Sequence, residues 1–166
     1  MAPPYLACML AVAQFHHLPP RVLPSIQAVE AGKPGSISRN HNGTADLGVM
    51  QVNTSWIPRI AQGWGMRPEG VAKRLIEDPC FNIAAAGSIM KIYLGETRGD
   101  VVKAVGYYHS HTPERYTDYQ IRVIRASVAL FGWPKPAKSK AKTVRGKKRH
   151  VLAETRPAAR VSTLTP

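Results

Sequence analysis

The sequence is poor in the features that cross-link a small chain. It has two cysteines, Cys8 and Cys80, and neither belongs to a CxxC pair. In a reducing compartment two such residues stay free thiols, and in an oxidising one they form a single disulfide. That bridge would close a loop of roughly 70 residues and contribute on the order of 4 kcal/mol. Among the six histidines, His16 with His17 and His109 with His111 lie close in sequence, but no ligand partners stand at metal-site spacing. Neither a metal nor a cofactor is expected. No apolar run reaches bilayer length. YLACMLAVAQF, from Tyr5 to Phe15, is too short for a stable span, so no transmembrane segment is expected. No Lys or Arg precedes it and no small-residue cleavage site follows it, so it lacks the marks of a secretory leader. Leu6, Leu10, Ala13 and His17 keep helical spacing, and the stretch reads as a first domain helix. There are no internal repeats.

Acidic side chains are also scarce. Ten Asp and Glu face 23 Lys and Arg in 166 residues, for a net charge of +13. The excess is uneven: thirteen basic residues oppose nine acidic ones up to Trp133, whereas ten oppose Glu154 alone from Pro134 onward. Residues 134–166 are rich in Lys, Arg, Pro and Ala and have no aromatic side chain. Such a segment buries too little apolar surface to offset its ordering entropy, and it is expected to be a disordered basic tail behind a domain of residues 1–133. Its RGKKRH run suits polyanions through counterion release, either nucleic acid or the anionic polymers of a cell wall. The plainer reading is a solvated tail.

Hydropathy and turn residues divide the first 133 positions into helices around one polar stretch. Helices are expected from Pro4 to His16 and from Val22 to Ala31, with Pro24 early enough in the second to be tolerated. From Lys33 to Asn53 the chain is full of Gly, Asn, Ser and Asp, and Asn42-Gly43 marks a hairpin turn. A short helix interrupted by Pro58 should follow, then an amphipathic helix with Val71, Leu75 and Ile76 inward. Asp78 and Pro79 form a helix start, and Ile83, Ala86, Gly87, Met90 and Leu94 make that helix's apolar stripe. Two more helices complete a mainly α, α+β domain. A cleft between its helical and β lobes suits an extended substrate.

The position that points to chemistry is Glu30. It shares a helical stripe with Leu23 and Ile26, a place the pattern reserves for apolar side chains, and it sits in the last turn, where the helix dipole disfavours negative charge. A helix-end glutamate is ordinarily solvated. On this stripe the alternative is a half-buried acid with a raised pKa, which is what a general acid requires. Downstream, Gln51 and Asn53 alternate with Met50 and Val52 on an expected short strand, and amides aimed into a cleft suit sugar hydroxyl and acetamido groups. Trp56 and Trp64 either stack on sugar rings or fill the core.

Taken in order, AVEAG, GVMQVN and GYYHS, together with DPCFNI around Cys80, resemble the motifs of soluble lytic transglycosylases with a lysozyme-like fold. The likeness runs from about Tyr5 to Phe131 and is greatest to the small members that accompany conjugation and type IV secretion machines. It implies a Cys8–Cys80 disulfide and a periplasmic location. It places the family's catalytic glutamate on Glu30, its Gly-x-Met-Gln turn on Gly48, Met50 and Gln51, and its Tyr-Asn pair on Tyr108 and His109. Two positions depart from the pattern: Ala31 stands where the family has serine, and His109 where it has asparagine.

The resemblance implies peptidoglycan as substrate. Protonated Glu30 would donate to the glycosidic oxygen between N-acetylmuramic acid and N-acetylglucosamine. It would then take the C6 hydroxyl proton as that oxygen closes on C1 to leave a 1,6-anhydro end, with Tyr108 hydrogen-bonded to Glu30. A rival lies nearby, because GTADLGVMQVNTSW also resembles the β lobe of animal-type lysozymes. Asp46 falls at the place of their second carboxylate, which would permit hydrolysis. Otherwise Asp46 caps the turn after Asn42-Gly43. A reading from another class is a non-catalytic assembly factor that works through its basic tail, partnered by a conjugation or secretion complex.

Overall fold

The computed structural model describes residues 3–133. The chain runs α1 (Leu6–Phe15), α2 (Val22–Glu30), β1 (Ile37–Arg39), β2 (Ala45–Leu47), β3 (Val52–Asn53), a 3₁₀ turn at Thr54–Trp56, α3 (Ile57–Trp64), α4 (Pro68–Glu77), α5 (Pro79–Glu96), α6 (Val101–His109) and α7 (Pro113–Phe131). This is the expected mainly helical α+β architecture. The disordered-tail expectation falls on residues outside the described ones.

Helix starts are set by proline and by acidic caps. Pro58, Pro68, Pro79 and Pro113 each lie in the first turn of their helix, where a missing N–H removes no internal hydrogen bond. Pro58 therefore begins α3 and does not interrupt it. The Asp78 carboxylate accepts from the Phe81 N–H at 3.0 Å, and that of Asp100 from the Lys103 N–H at 2.9 Å.

Helix α5 is the centre of the core. Ile83, Ala85, Ala86 and Met90 are fully buried along it. At Gly87 an added Cβ would strike the Val12 side chain, so α1 lies directly against this point. The same two helices are joined covalently by the Cys8–Cys80 disulfide, with Cα atoms 5.6 Å apart, which is the pairing the resemblance implied. Helix α7 packs along α2 and α6. Its end is tied to the start of α2 by the Arg21 guanidinium, which donates to the Gly132 carbonyl at 2.7 Å.

The β lobe is a three-stranded antiparallel sheet in the order β1-β2-β3. Ser38 pairs with Asp46, and Asp46 pairs with Asn53. The Asn42-Gly43 turn is stabilised by Asn42, whose Oδ1 accepts from the Thr44 N–H at 3.1 Å and from its hydroxyl at 2.8 Å. Asp46 does not cap this turn.

One buried side chain fastens the β lobe to the helices. Asn82, fully enclosed on α5, donates through Nδ2 to the carbonyls of Leu47 and Leu75, both at 2.8 Å, and accepts from the Met50 N–H at 2.8 Å. Gly48 passes so close to this amide that a Cβ would run into Asn82 and the Leu75 carbonyl. Its φ of +66° is also open to glycine at little penalty.

Candidate active site

Helix α2 delivers Glu30 to the junction of the lobes. The helix ends there because Ala31 turns left-handed at φ 52°, with its N–H bonded to the Gln27 carbonyl at 2.8 Å. Gly32 follows against the Gly48 carbonyl, where a Cβ would not fit. The acid is thus pressed towards the turn that joins β2 to β3. It opens into a cleft of about 660 Å³ shared with Asp46, Gln51, Asn53, Tyr108 and His109. Gly48 and Met50 lie beneath the cleft wall, Met50 with no exposed surface. The sequence candidates therefore gather at one place, in a lining layer and a supporting layer.

Burial raises the pKa of Glu30 above the ordinary carboxyl value, and the negative field of Asp46 adds to the effect. A hydrogen bond from Tyr119 and the charge of Arg122 oppose it. The Tyr119 hydroxyl donates to Glu30 Oε1 at 2.5 Å. This corrects the expectation that Tyr108 holds the glutamate. The Tyr108 hydroxyl donates instead to the Met50 carbonyl at 2.9 Å and so ties α6 to the Gly48–Gln51 turn. The reason lies in the packing of α7 along α2, which aims position 119 at the end of α2, whereas α6 approaches from the β-lobe side. Burial pushes the hydroxyls of both tyrosines well above their ordinary range, so both act as donors. One signal could have found Tyr119: it shares the buried stripe of α7 with Val123, and a buried hydroxyl needs a partner.

Asp46 sits in a different environment. Its Oδ2 accepts from Asn40 Nδ2 at 3.0 Å and its Oδ1 from Asn53 Nδ2 at 2.7 Å. The same Asn53 amide also donates to the Thr44 hydroxyl at 3.0 Å, and its oxygen accepts from the Ser55 N–H at 3.0 Å. Gln51 lies outside the strand, in a left-handed turn at φ 50°. It donates to the Gly48 carbonyl at 2.8 Å and accepts from the Ser38 hydroxyl at 2.7 Å. The expected strand alternation of Gln51 and Asn53 thus gives way to a turn and a two-residue strand. Both amides have internal partners and build the frame of the β lobe.

Aromatic rings line the rest of the cleft. Trp56 meets Tyr93 edge-on at 5.8 Å, and His111 lies 4.1 Å from the Tyr107 ring. Trp64 packs on Phe81 at 5.0 Å and does not line this cleft. His111 pairs with Glu96 at 3.1 Å, and His16 lies 3.3 Å from the Ser88 hydroxyl. Among the described residues no group of three or more His, Cys, Asp or Glu is placed to hold a metal ion, and no helix is long and apolar enough to cross a membrane.

A partly enclosed, protonatable acid held by a tyrosine in an aromatic- and amide-lined cleft suits glycan cleavage, and comparison with known proteins agrees. Residues 7–115 match the Transglycosylase SLT domain. The chain is 32% identical over 121 residues to Invasion protein IagB of Salmonella typhimurium strain SL1344, with 69% of each chain covered, and equally so to its counterpart in Salmonella typhi. The chain belongs to the SLT transglycosylase family, the peptidoglycan lytic transglycosylases.

Proposed function

We propose that the enzyme cleaves the β-1,4 bond between N-acetylmuramic acid and N-acetylglucosamine without water. Glu30 is the only catalytic carboxyl in this reading. Protonated, it gives its proton to the glycosidic oxygen as the C1–O bond breaks and positive charge grows at C1. The resulting carboxylate takes the proton of the C6 hydroxyl on the same muramic ring, and O6 bonds to C1. Glu30 ends protonated, and the product carries a 1,6-anhydro ring. The observation that carries this reading is the contrast in hydrogen bonding: among the described residues Glu30 has one side-chain donor and a raised pKa, whereas both oxygens of Asp46 are already engaged by amides. Substrate contacts fall to the cleft faces of Gln51, Asn53, Tyr108 and His109, with Gly48 and Met50 shaping the turn beneath.

A second reading is retaining hydrolysis with Asp46 as partner, favoured by its place in the same cleft and by its field on Glu30. Mass spectrometry of peptidoglycan digested by wild type and by Glu30→Gln separates the two. Anhydro ends from wild type and almost none from the variant are expected, and reducing ends alone would establish a hydrolase.

The cellular role in this proposal is local opening of the wall in the periplasm for a conjugation or type IV secretion apparatus. The disulfide supports an oxidising compartment, and the name of the Salmonella relative supports association with an invasion process. Residues 1–133 form the catalytic domain, and residues 134–166 add affinity for anionic wall polymers. Deleting the tail should spare cleavage of short soluble glycans and weaken retention on intact sacculi. A non-catalytic assembly role would show the opposite pattern in complementation, with Glu30→Gln active and the tail deletion inactive.

A further inference from the structure

We propose that His109 is a positioning residue for Glu30: its imidazole lies flat on the Tyr119 ring and locks that phenol in the orientation that donates to the glutamate. The inference rests on Glu30 being the catalytic acid. It concerns the position where the family resemblance places an asparagine, a side chain with no ring to stack.

The geometry is specific. The ring centroids of His109 and Tyr119 are 4.9 Å apart and their planes differ by 5°. His109 is the last residue of α6, and Tyr119 lies midway along α7. The two helices come close at Gly106, where an added Cβ would sit 2.9 Å from Tyr116 Cβ and 3.0 Å from Gln120 Nε2. One turn along α6, that approach brings position 109 over the phenol. Tyr119 is 2% exposed and has no other hydroxyl acceptor than Glu30 among the described residues. His109 itself is exposed and lines the cleft with its remaining surface.

Charge supports the same role. Partial burial, with the charges of Arg122 and Arg115, lowers the His109 pKa against the opposing pull of Asp46. The shift favours the neutral imidazole, which stacks without adding positive charge beside the acid. Glu30 is faced by Tyr119 and Arg122 from α7, by Asp46 from β2 and by Tyr108 from α6, and His109 lines the same cleft. Of these, the Tyr119 hydrogen bond lowers its pKa most.

The test is a set of kinetic profiles on a soluble glycan for wild type, His109→Ala and His109→Phe, with thermal melts as a folding control and Glu30→Gln as the blank. His109→Ala should lower kcat on the order of ten-fold, beyond any rise in KM from its lost contact with the glycan, because a loosened donor misplaces the acid. Its alkaline limb should move to higher pH, since the bond that holds the Glu30 pKa down is weakened. His109→Phe, which keeps a stacking ring, should restore most of kcat and return the limb. In a Tyr119→Phe background, His109→Ala should leave the limb where Tyr119→Phe puts it. The proposal is overturned if the alanine and phenylalanine variants raise KM alike with kcat and limb unmoved, which would leave His109 a substrate contact and nothing more, or if His109→Ala matches wild type. Activity in Glu30→Gln would instead overturn the reading beneath it.

Discussion

Glu30 and Asp46 face one cleft from opposite lobes, and they are held in opposite ways. Glu30 stands at the end of a buried helix, with a tyrosine hydroxyl as partner and burial raising its pKa. Asp46 stands on a small sheet, and each of its oxygens accepts from an asparagine amide. Two carboxyls in one cleft thus stand in different surroundings, the kind of difference that separates an acid from a fixed carboxylate. Enclosure raises the pKa of one, and amide donors occupy both oxygens of the other and make it part of a frame. The lobes differ correspondingly. The helical lobe supplies apolar cover, and the β lobe supplies a hydrogen-bonded lattice of Asn40, Thr44, Asp46 and Asn53.

The strongest way to break the contrast is to remove the acid. Glu30→Gln should reduce glycan cleavage by about 10³-fold, with the circular dichroism spectrum unchanged. The same variant should melt higher than wild type at neutral pH. The sign follows from linkage: a carboxyl whose folded pKa lies above its unfolded value of 4.5 favours the fold when protonated, and that advantage is lost as pH rises through the folded pKa. Glutamine imitates the protonated form at every pH, so the difference in melting temperature should close as pH falls towards 4.5.

Detaching the lobes comes next. Asn82→Ala removes three buried hydrogen bonds and leaves the Met50 N–H and the Leu47 and Leu75 carbonyls without that partner. A loss of about 3 kcal/mol in denaturant unfolding is expected.

Tyr119→Phe keeps the ring and deletes the donor to Glu30. It should lower kcat on the order of ten-fold and move the alkaline limb upward. Asp46→Asn should have the smallest effect, about five-fold in rate and about 1 kcal/mol in stability, since either Asn40 or Asn53 loses its acceptor. A loss from Asp46→Asn as large as that from Glu30→Gln would erase the contrast and assign both carboxyls to chemistry.

The legible parts of the fold were those fixed locally. Asp78-Pro79 announced the start of α5, Asn42-Gly43 announced the hairpin, and the stripe of Leu23 and Ile26 exposed Glu30 as a misfit. The unreadable parts depend on how helices cross. The apolar stripe of α7 marks Tyr119 as a buried hydroxyl in need of a partner, but nothing near it says that α7 lies along α2, so the identity of that partner, Glu30, is not readable from the sequence. Asn82 falls between the apolar positions of α5 and reads as ordinary polarity until the Met50 turn is folded over it. Gln51 read as a strand residue because alternation cannot show a left-handed turn.

Incorporation of ¹⁸O from labelled water tests the central claim most directly. Peptidoglycan is digested in H₂¹⁸O, and the new muramic ends are analysed by mass spectrometry. Ring closure by the C6 hydroxyl uses no water, so the account predicts 1,6-anhydro ends without label. Reducing ends that carry one ¹⁸O would contradict it and make the enzyme a hydrolase.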